Sequence, residues 1–128
     1  MKRLGIVSTA VISVVMLASS AFAQDYQKGF EAAQSGDFAT ALQELRPLAE
    51  QNHADAQWGL GSMYAEGMGV PQDNVLAHMW FNLGASNGSE PSANNRDRIA
   101  KIMTPQAIEQ AQKMASECMS NDYKNCGY

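Results

Sequence analysis

This sequence is poor in the groups that do chemistry. It holds two histidines, His53 and His78, and two cysteines, Cys118 and Cys126. No His-Glu-x-x-His and no Cys-x-x-Cys occurs, which excludes the zinc-protease helix and the dithiol redox pair. Neither histidine has a cysteine or a second histidine at ligand spacing, so no metal site is expected. Gly67-x-Gly69 lacks the third glycine and the preceding strand of a dinucleotide loop, so no cofactor is expected either. Beyond residue 23 there is no Ser-x-x-Lys, which removes the serine nucleophile of penicillin-recognising enzymes. Basic residues are scarce as well. Without Lys2 and Arg3, seven of them face thirteen Asp and Glu, a net charge of −6. A phosphate backbone would be repelled, so nucleic acid is not an expected partner.

Long apolar runs are missing from all but the start. Lys2 and Arg3 precede a run from Leu4 to Ala18 that only small residues interrupt, and Ala21-Phe22-Ala23 is a small-x-small cleavage site. This pattern predicts a signal peptide over 1–23, cut after Ala23. No cysteine lies at the cut, so no lipid anchor is expected. The alternative is an uncleaved membrane anchor, for which the run is short against the ~20 residues of a span. The chain beyond the cut is long enough for one small domain. Both cysteines lie in the exported part, where the compartment is oxidising. Seven residues separate them, and a disulfide between Cys118 and Cys126 is the natural reading. Closing so small a loop stabilises by about 2–3 kcal/mol on the chain-entropy model. Two free thiols are the other reading.

What the chain does have is helical periodicity. Tyr26, Phe30 and Ala33 share a face over 25–35. Ala41, Leu42, Leu45, Leu48 and Ala49 share one over 38–51, and the period runs through Pro47, which should kink that helix. Ala56, Leu60, Gly61 and Tyr64 recur over the next segment, and Ala77, Trp80, Phe81, Gly84 and Ala85 over the one after it. Gly67 stands where a helix ends left-handed, and Asp73 where a side chain caps the next helix. Gly61, Ala77 and Gly84 are small where two helix backbones would approach closely. Asn52-His53-Ala54 and Ser86-Asn87-Gly88-Ser89 read as linkers. Pro91 to Met103 reads as a helix with Ile99, Ile102 and Met103 on its apolar side and Asn94 to Arg98 on its wet side. Thr104-Pro105 restarts the last helix, with Ile108, Ala111, Met114, Ala115 and Cys118 on one face. The first pair copies the second: Gly36 matches Gly67, Ala41 matches Ala77, Leu45 matches Phe81 and Ala49 matches Ala85. A repeat of 30–40 residues in helix pairs means a fragment of a solenoid, whose hairpins must stack to bury their stripes.

The segment Ala56-Gln57-x-x-Leu60-Gly61-x-x-Tyr64-x-x-Gly67-x-Gly69-Val70-x-x-Asp73-x-x-x-Ala77-x-x-Trp80-Phe81 resembles the SEL-like repeat family, a relative of the tetratricopeptide repeats. The Gly36-Asp37-Phe38-x-x-Ala41 turn is similar to a tetratricopeptide turn. Arg96-Asp97 with Met103-Thr104-Pro105-x-x-Ile108-x-x-Ala111-Gln112 resembles the terminal hairpin of bacterial members. The resemblance implies an all-α, right-handed α-hairpin solenoid over 24–119, about six helices in three antiparallel pairs (25–51, 54–87, 90–119), with a tail over 120–128. Ala56, Leu60, Gly61, Tyr64, Gly67, Gly69, Asp73, Ala77 and Trp80 define the repeat. Some secreted members carry a Cys-x7-Cys bridge between neighbouring helices, a spacing that Cys118 and Cys126 match.

The family implies protein binding through the inner curve, which the first helix of each pair lines. That nominates Tyr26, Gln57, Trp58 and Tyr64 as partner-binding residues; the other reading packs Trp58 on the preceding hairpin and puts Tyr64 in the core. No catalytic residue is expected. The histidines read as a solvated linker residue and a surface helix residue. The methionines read as adaptable core packing rather than a copper site, and Glu44, Glu50 and Asp55 as a solvated face rather than paired acids. The expected function is an exported, non-catalytic protein–protein interaction module in a bacterial periplasm or secreted, scaffolding or regulating an envelope complex. Two alternatives stand beside it: a cell-wall or β-lactam-active enzyme of the disulfide-linked repeat type, and a self-associating structural protein.

Overall fold

The structure is a computed structural model that describes residues 18–127, with side chains from Tyr26 onward. The expected signal peptide, 1–23, lies outside these residues except for the main chain of 18–23. Six helices and no strand occur among the described residues: α1 (Ala18–Ser35), α2 (Phe38–Glu50), α3 (Ala54–Glu66), α4 (Asn74–Ser86), α5 (Glu90–Ala100) and α6 (Pro105–Ser120). The fold is all-α, as the hairpin repeats require. The first helix starts at Ala18 rather than at Asp25.

Local chemistry sets the boundaries. Gly36 takes a φ of +84° after α1, a backbone region that side chains resist. Asp37 then accepts the Thr40 N–H at 3.2 Å and caps α2. Hydrogen bonds from the Thr40 side chain and backbone hold its carboxyl below the usual range. Gly67 ends α3 at φ +67° and donates to the Met63 carbonyl. Asp73 accepts the Leu76 N–H at 3.0 Å, while its own N–H donates to the Tyr64 carbonyl at 2.9 Å and closes the turn. Thr104 caps α6 by accepting the Ala107 N–H at 3.2 Å. Helix α2 continues through Pro47, as its apolar period requires.

Packing follows the small residues. A Cβ on Gly61 would lie 2.5 Å from Cδ1 of Phe81, so α3 and α4 approach over a bare backbone. Gly29 stands in the same relation to Leu45 in the first pair, where an added Cβ would meet Cγ at 3.0 Å. Gly84 faces Ser92 of α5 and the Ala54 carbonyl of α3. Ala41, Ala49, Ala56, Leu60, Ala77, Trp80 and Leu83 are completely buried. Helix α4 is the hub: it packs against α3, α5 and α6.

The last unit departs from the expected third pair. Helices α5 and α6 each lean on α4 and scarcely touch each other. Helix α5 ends at Ala100, so Ile102 belongs to a turn and is 75% exposed rather than part of the apolar side. Cys118 and Cys126 are bonded, with their Cα atoms 5.1 Å apart. The bridge folds the tail back so that Cys126 is buried and Gly127 lies against Leu76 of α4 and Met114 of α6.

Candidate interaction groove

A half-open groove of ≈ 230 Å³ lies between α1 and α3. Tyr26, Phe30, Ala33 and Gln34 form one wall, and Trp58, Ser62, Met63 and Glu66 the other. Leu45 of α2 and Met68 of the following turn reach into it as well. The first helices of two successive pairs thus line one concavity. A second depression opens on the far side of α3. It is lined by Ala65, Phe81, Asn95, Arg98, Ile99 and Ile102, and it shares Ser62 and Glu66 with the first.

The aromatic wall is built locally. Tyr26 stacks on Phe30 one helical turn away, with ring centroids 6.0 Å apart. Its other neighbour is His53, whose ring lies 5.0 Å away and nearly parallel. His53 is held there because its Nδ1 accepts the Ala56 N–H at 3.1 Å and caps α3. The expected solvated linker histidine is instead a cap and a stacking partner. Burial, and then the nearby Asp55 carboxylate, push the Tyr26 phenol above its ordinary value. At neutral pH it is therefore an O–H donor and not an anion. Trp58 is half-buried against the core, and its indole N–H is buried without an acceptor.

The packing separates the four nominated residues. Tyr26 and Trp58 line the groove. Tyr64 is 4% exposed and belongs to the core. Gln57 is fully buried and already used: its Nε2 donates to the Ala49 carbonyl at 3.0 Å, and its Oε1 accepts from Asn87 Nδ2 at 2.8 Å. The same Asn87 amide donates to Asn52 at 3.0 Å. Gln57 therefore ties the ends of α2 and α4 to the start of α3 and offers nothing to a ligand. Phe30, Ala33, Met63 and Met68 complete the groove. Only the folded chain joins them, because their common wall forms between helices that are not neighbours along any single period.

The residues that define the repeat are structural in this arrangement. Ala56, Leu60, Gly61, Tyr64, Ala77 and Trp80 are buried, Gly67 ends α3 and Asp73 caps α4. Gly69 has a φ of +70°, and a Cβ there would meet Cβ of Phe38 at 2.5 Å. His78 lies in the core at 3% exposure, not on the surface, because α4 is covered on several sides. Burial, then the Arg96 guanidinium, lower its pKa, and Asp97 opposes them. Glu44 accepts an ion pair from Lys28 at 2.6 Å, which ties α2 to α1. Among the described residues no three His, Cys, Asp or Glu side chains gather as a metal site. No described helix is long and apolar enough to cross a membrane. The groove offers apolar surface, a phenol, an amide and one carboxylate. Its hydroxyl, Ser62 Oγ, donates to the Trp58 carbonyl at 3.0 Å.

Residues 54–89 match the family described as the Sel1 repeat. Two curated proteins are similar over 70 residues, which is 55% of this chain and 26% of each of theirs. One is an "Exopolysaccharide production negative regulator" of Rhizobium leguminosarum bv. viciae, at 34% identity. The other bears the same name in Rhizobium meliloti (strain 1021), at 33%. The chain spans about a quarter of the length of these relatives.

Proposed function

We propose, from the match of residues 54–89 to the Sel1 repeat, that the protein is an exported interaction module that grips a protein partner along the α1–α3 groove and regulates or scaffolds an envelope complex by doing so. The observation that carries this reading is the groove itself. Half-buried aromatic rings on its walls, Tyr26 and Trp58, are the side chains that most often anchor protein interfaces. The relatives' name, negative regulator, supports a role exerted by binding. The bonded cysteines are compatible with an oxidising compartment, and the expected leader supports export.

The Ser62 hydroxyl, which lines the groove with Glu66, donates to the Trp58 carbonyl. The test is capture of a partner from envelope extract on the immobilised protein, with Trp58→Ala in parallel. Saturable capture that falls at least tenfold in the variant supports the reading. Capture that is unchanged by Trp58→Ala refutes the groove as the gripping face. Hydrolysis of a chromogenic β-lactam by the purified protein would instead favour the enzyme alternative.

A further inference from the structure

The two depressions flank the same stretch of α3. Ser62 and Glu66 line both, so the two hollows adjoin along a ridge of α3, the first reaching Tyr26 on α1 and the second Ile102 beyond α5. The first hollow is mainly apolar, with Phe30, Trp58 and Met63 in its lining, and the second mixes Phe81, Ile99 and Ile102 with Asn74, Asn95 and Arg98. Ile102 is 75% exposed, a large apolar side chain at the rim that the fold leaves uncovered. Charge is sparse and one-signed on the dividing ridge. Glu66 is the single charged residue in the first hollow, and Arg98 joins it only in the second. Helix α3 carries Asp55 and Glu66 and no basic residue. The chain from residue 24 onward carries a net charge of −6, with Arg96, Arg98 and Lys101 gathered around the end of α5.

Resting on the groove reading above, we infer that the partner presents an extended segment with a lysine or arginine between two apolar side chains. The cationic residue crosses the α3 ridge at Glu66, and the apolar ones enter the hollows on either side. Physics alone then gives two properties. An acidic surface draws a cationic segment in and repels an anionic one, and both effects fade with salt. Apolar side chains filling the hollows set the affinity, whereas the exposed pair at Glu66 sets the choice of partner.

The experiment is panning of a random twelve-residue peptide display library on the disulfide-bonded protein purified from an exporting host. Peptides selected under these conditions should carry Lys or Arg flanked by Leu, Ile, Phe or Trp. Their affinity should fall about fivefold in Glu66→Gln, the scale of an exposed ion pair, and should weaken as salt rises. It should fall at least tenfold in Trp58→Ala. Because Trp58 also touches the core, Gln34→Lys on the exposed wall serves as a second variant: it leaves the core alone and should repel the same peptides. Selected peptides that are acidic or uncharged, or that ignore Glu66→Gln, overturn the cationic segment while their dependence on Trp58 keeps the groove. Peptides that ignore both Trp58→Ala and Gln34→Lys overturn the groove as well. A library that yields no binder overturns the extended segment, and capture of a folded envelope partner then stands as the separate test of the groove.

Discussion

The α3–α4 hairpin and the unit formed by α5, α6 and the tail reach the same end by different means. In the hairpin, two helices close on each other because Gly61 lets the Phe81 ring lie against bare backbone, and because Gly67 and Asp73 make a turn that only one geometry satisfies. In the last unit, α5 and α6 hardly meet. Each leans on α4, and a covalent bond between Cys118 and Cys126 holds the tail against α4 and α6. The hairpin is written into residue pattern. The end of the stack is fastened by chemistry that a pattern of helix faces does not contain.

That contrast can be broken at several points. The deepest is Trp80, fully buried on α4, where both units meet. Trp80→Ala removes the largest buried side chain and should cost about 3–5 kcal/mol in urea unfolding. A loss under 1 kcal/mol would mean that α4 is not the shared support. Next is the bridge. The double variant Cys118→Ser with Cys126→Ser should cost about 2.5 kcal/mol, the entropy of a small closed loop. It should expose the tail to protease and leave peptide capture at Trp58 intact. Loss of capture on reduction would join the two units that this account keeps apart.

A smaller effect sharpens the hairpin. Gly61→Ala gains up to about 1 kcal/mol of helix propensity, yet its Cβ would lie 2.5 Å from a rigid ring, and overpacking costs about 1–3 kcal/mol. The clash should win by about 1 kcal/mol, and adding Phe81→Leu should recover part of it. The smallest effect lies at the joint between the units. Burial and the Arg96 guanidinium of α5 hold His78 below its ordinary value, so the unfolded chain takes up a proton near pH 6.5 that the folded chain refuses. Stability is therefore complete above that pH and is lost as pH falls toward the folded value. Melting temperature should decline below pH 6.5 in the wild type and decline less in His78→Gln. Parallel curves for the two would remove His78 from the balance.

Much of the fold was legible, and the reasons are local. Gly67 announces a left-handed residue, and Asp73 and Thr104 announce helix starts, because each acts within three or four positions of itself. The copy of one pair in the other placed Ala41, Ala77, Leu45 and Phe81 in the core, where they lie. What stayed hidden depends on distance. Gln57 reads as a surface amide until Ala49 and Asn87, the latter thirty positions away, close around it. His78 reads as exposed because it lies off the stripe that Ala77, Trp80 and Phe81 share, whereas α4 packs against three neighbours and is buried beyond that stripe. His53 took a capping role that Ser, Thr, Asp or Asn usually fill. Two of the four residues that the family resemblance nominated, Tyr26 and Trp58, lie in the candidate site. Its other walls come from separate helices that only the folded arrangement brings together.

The central claim is that the α1–α3 groove is the face that grips a partner. It is tested most directly by photocrosslinking in the intact envelope, with Gln34→benzoylphenylalanine inside the groove and Lys113→benzoylphenylalanine on the exposed side of α6. A discrete crosslinked partner from position 34 that disappears on adding Trp58→Ala, with none from position 113, is the expected result. The same partner from position 113 and nothing from position 34 would contradict the account.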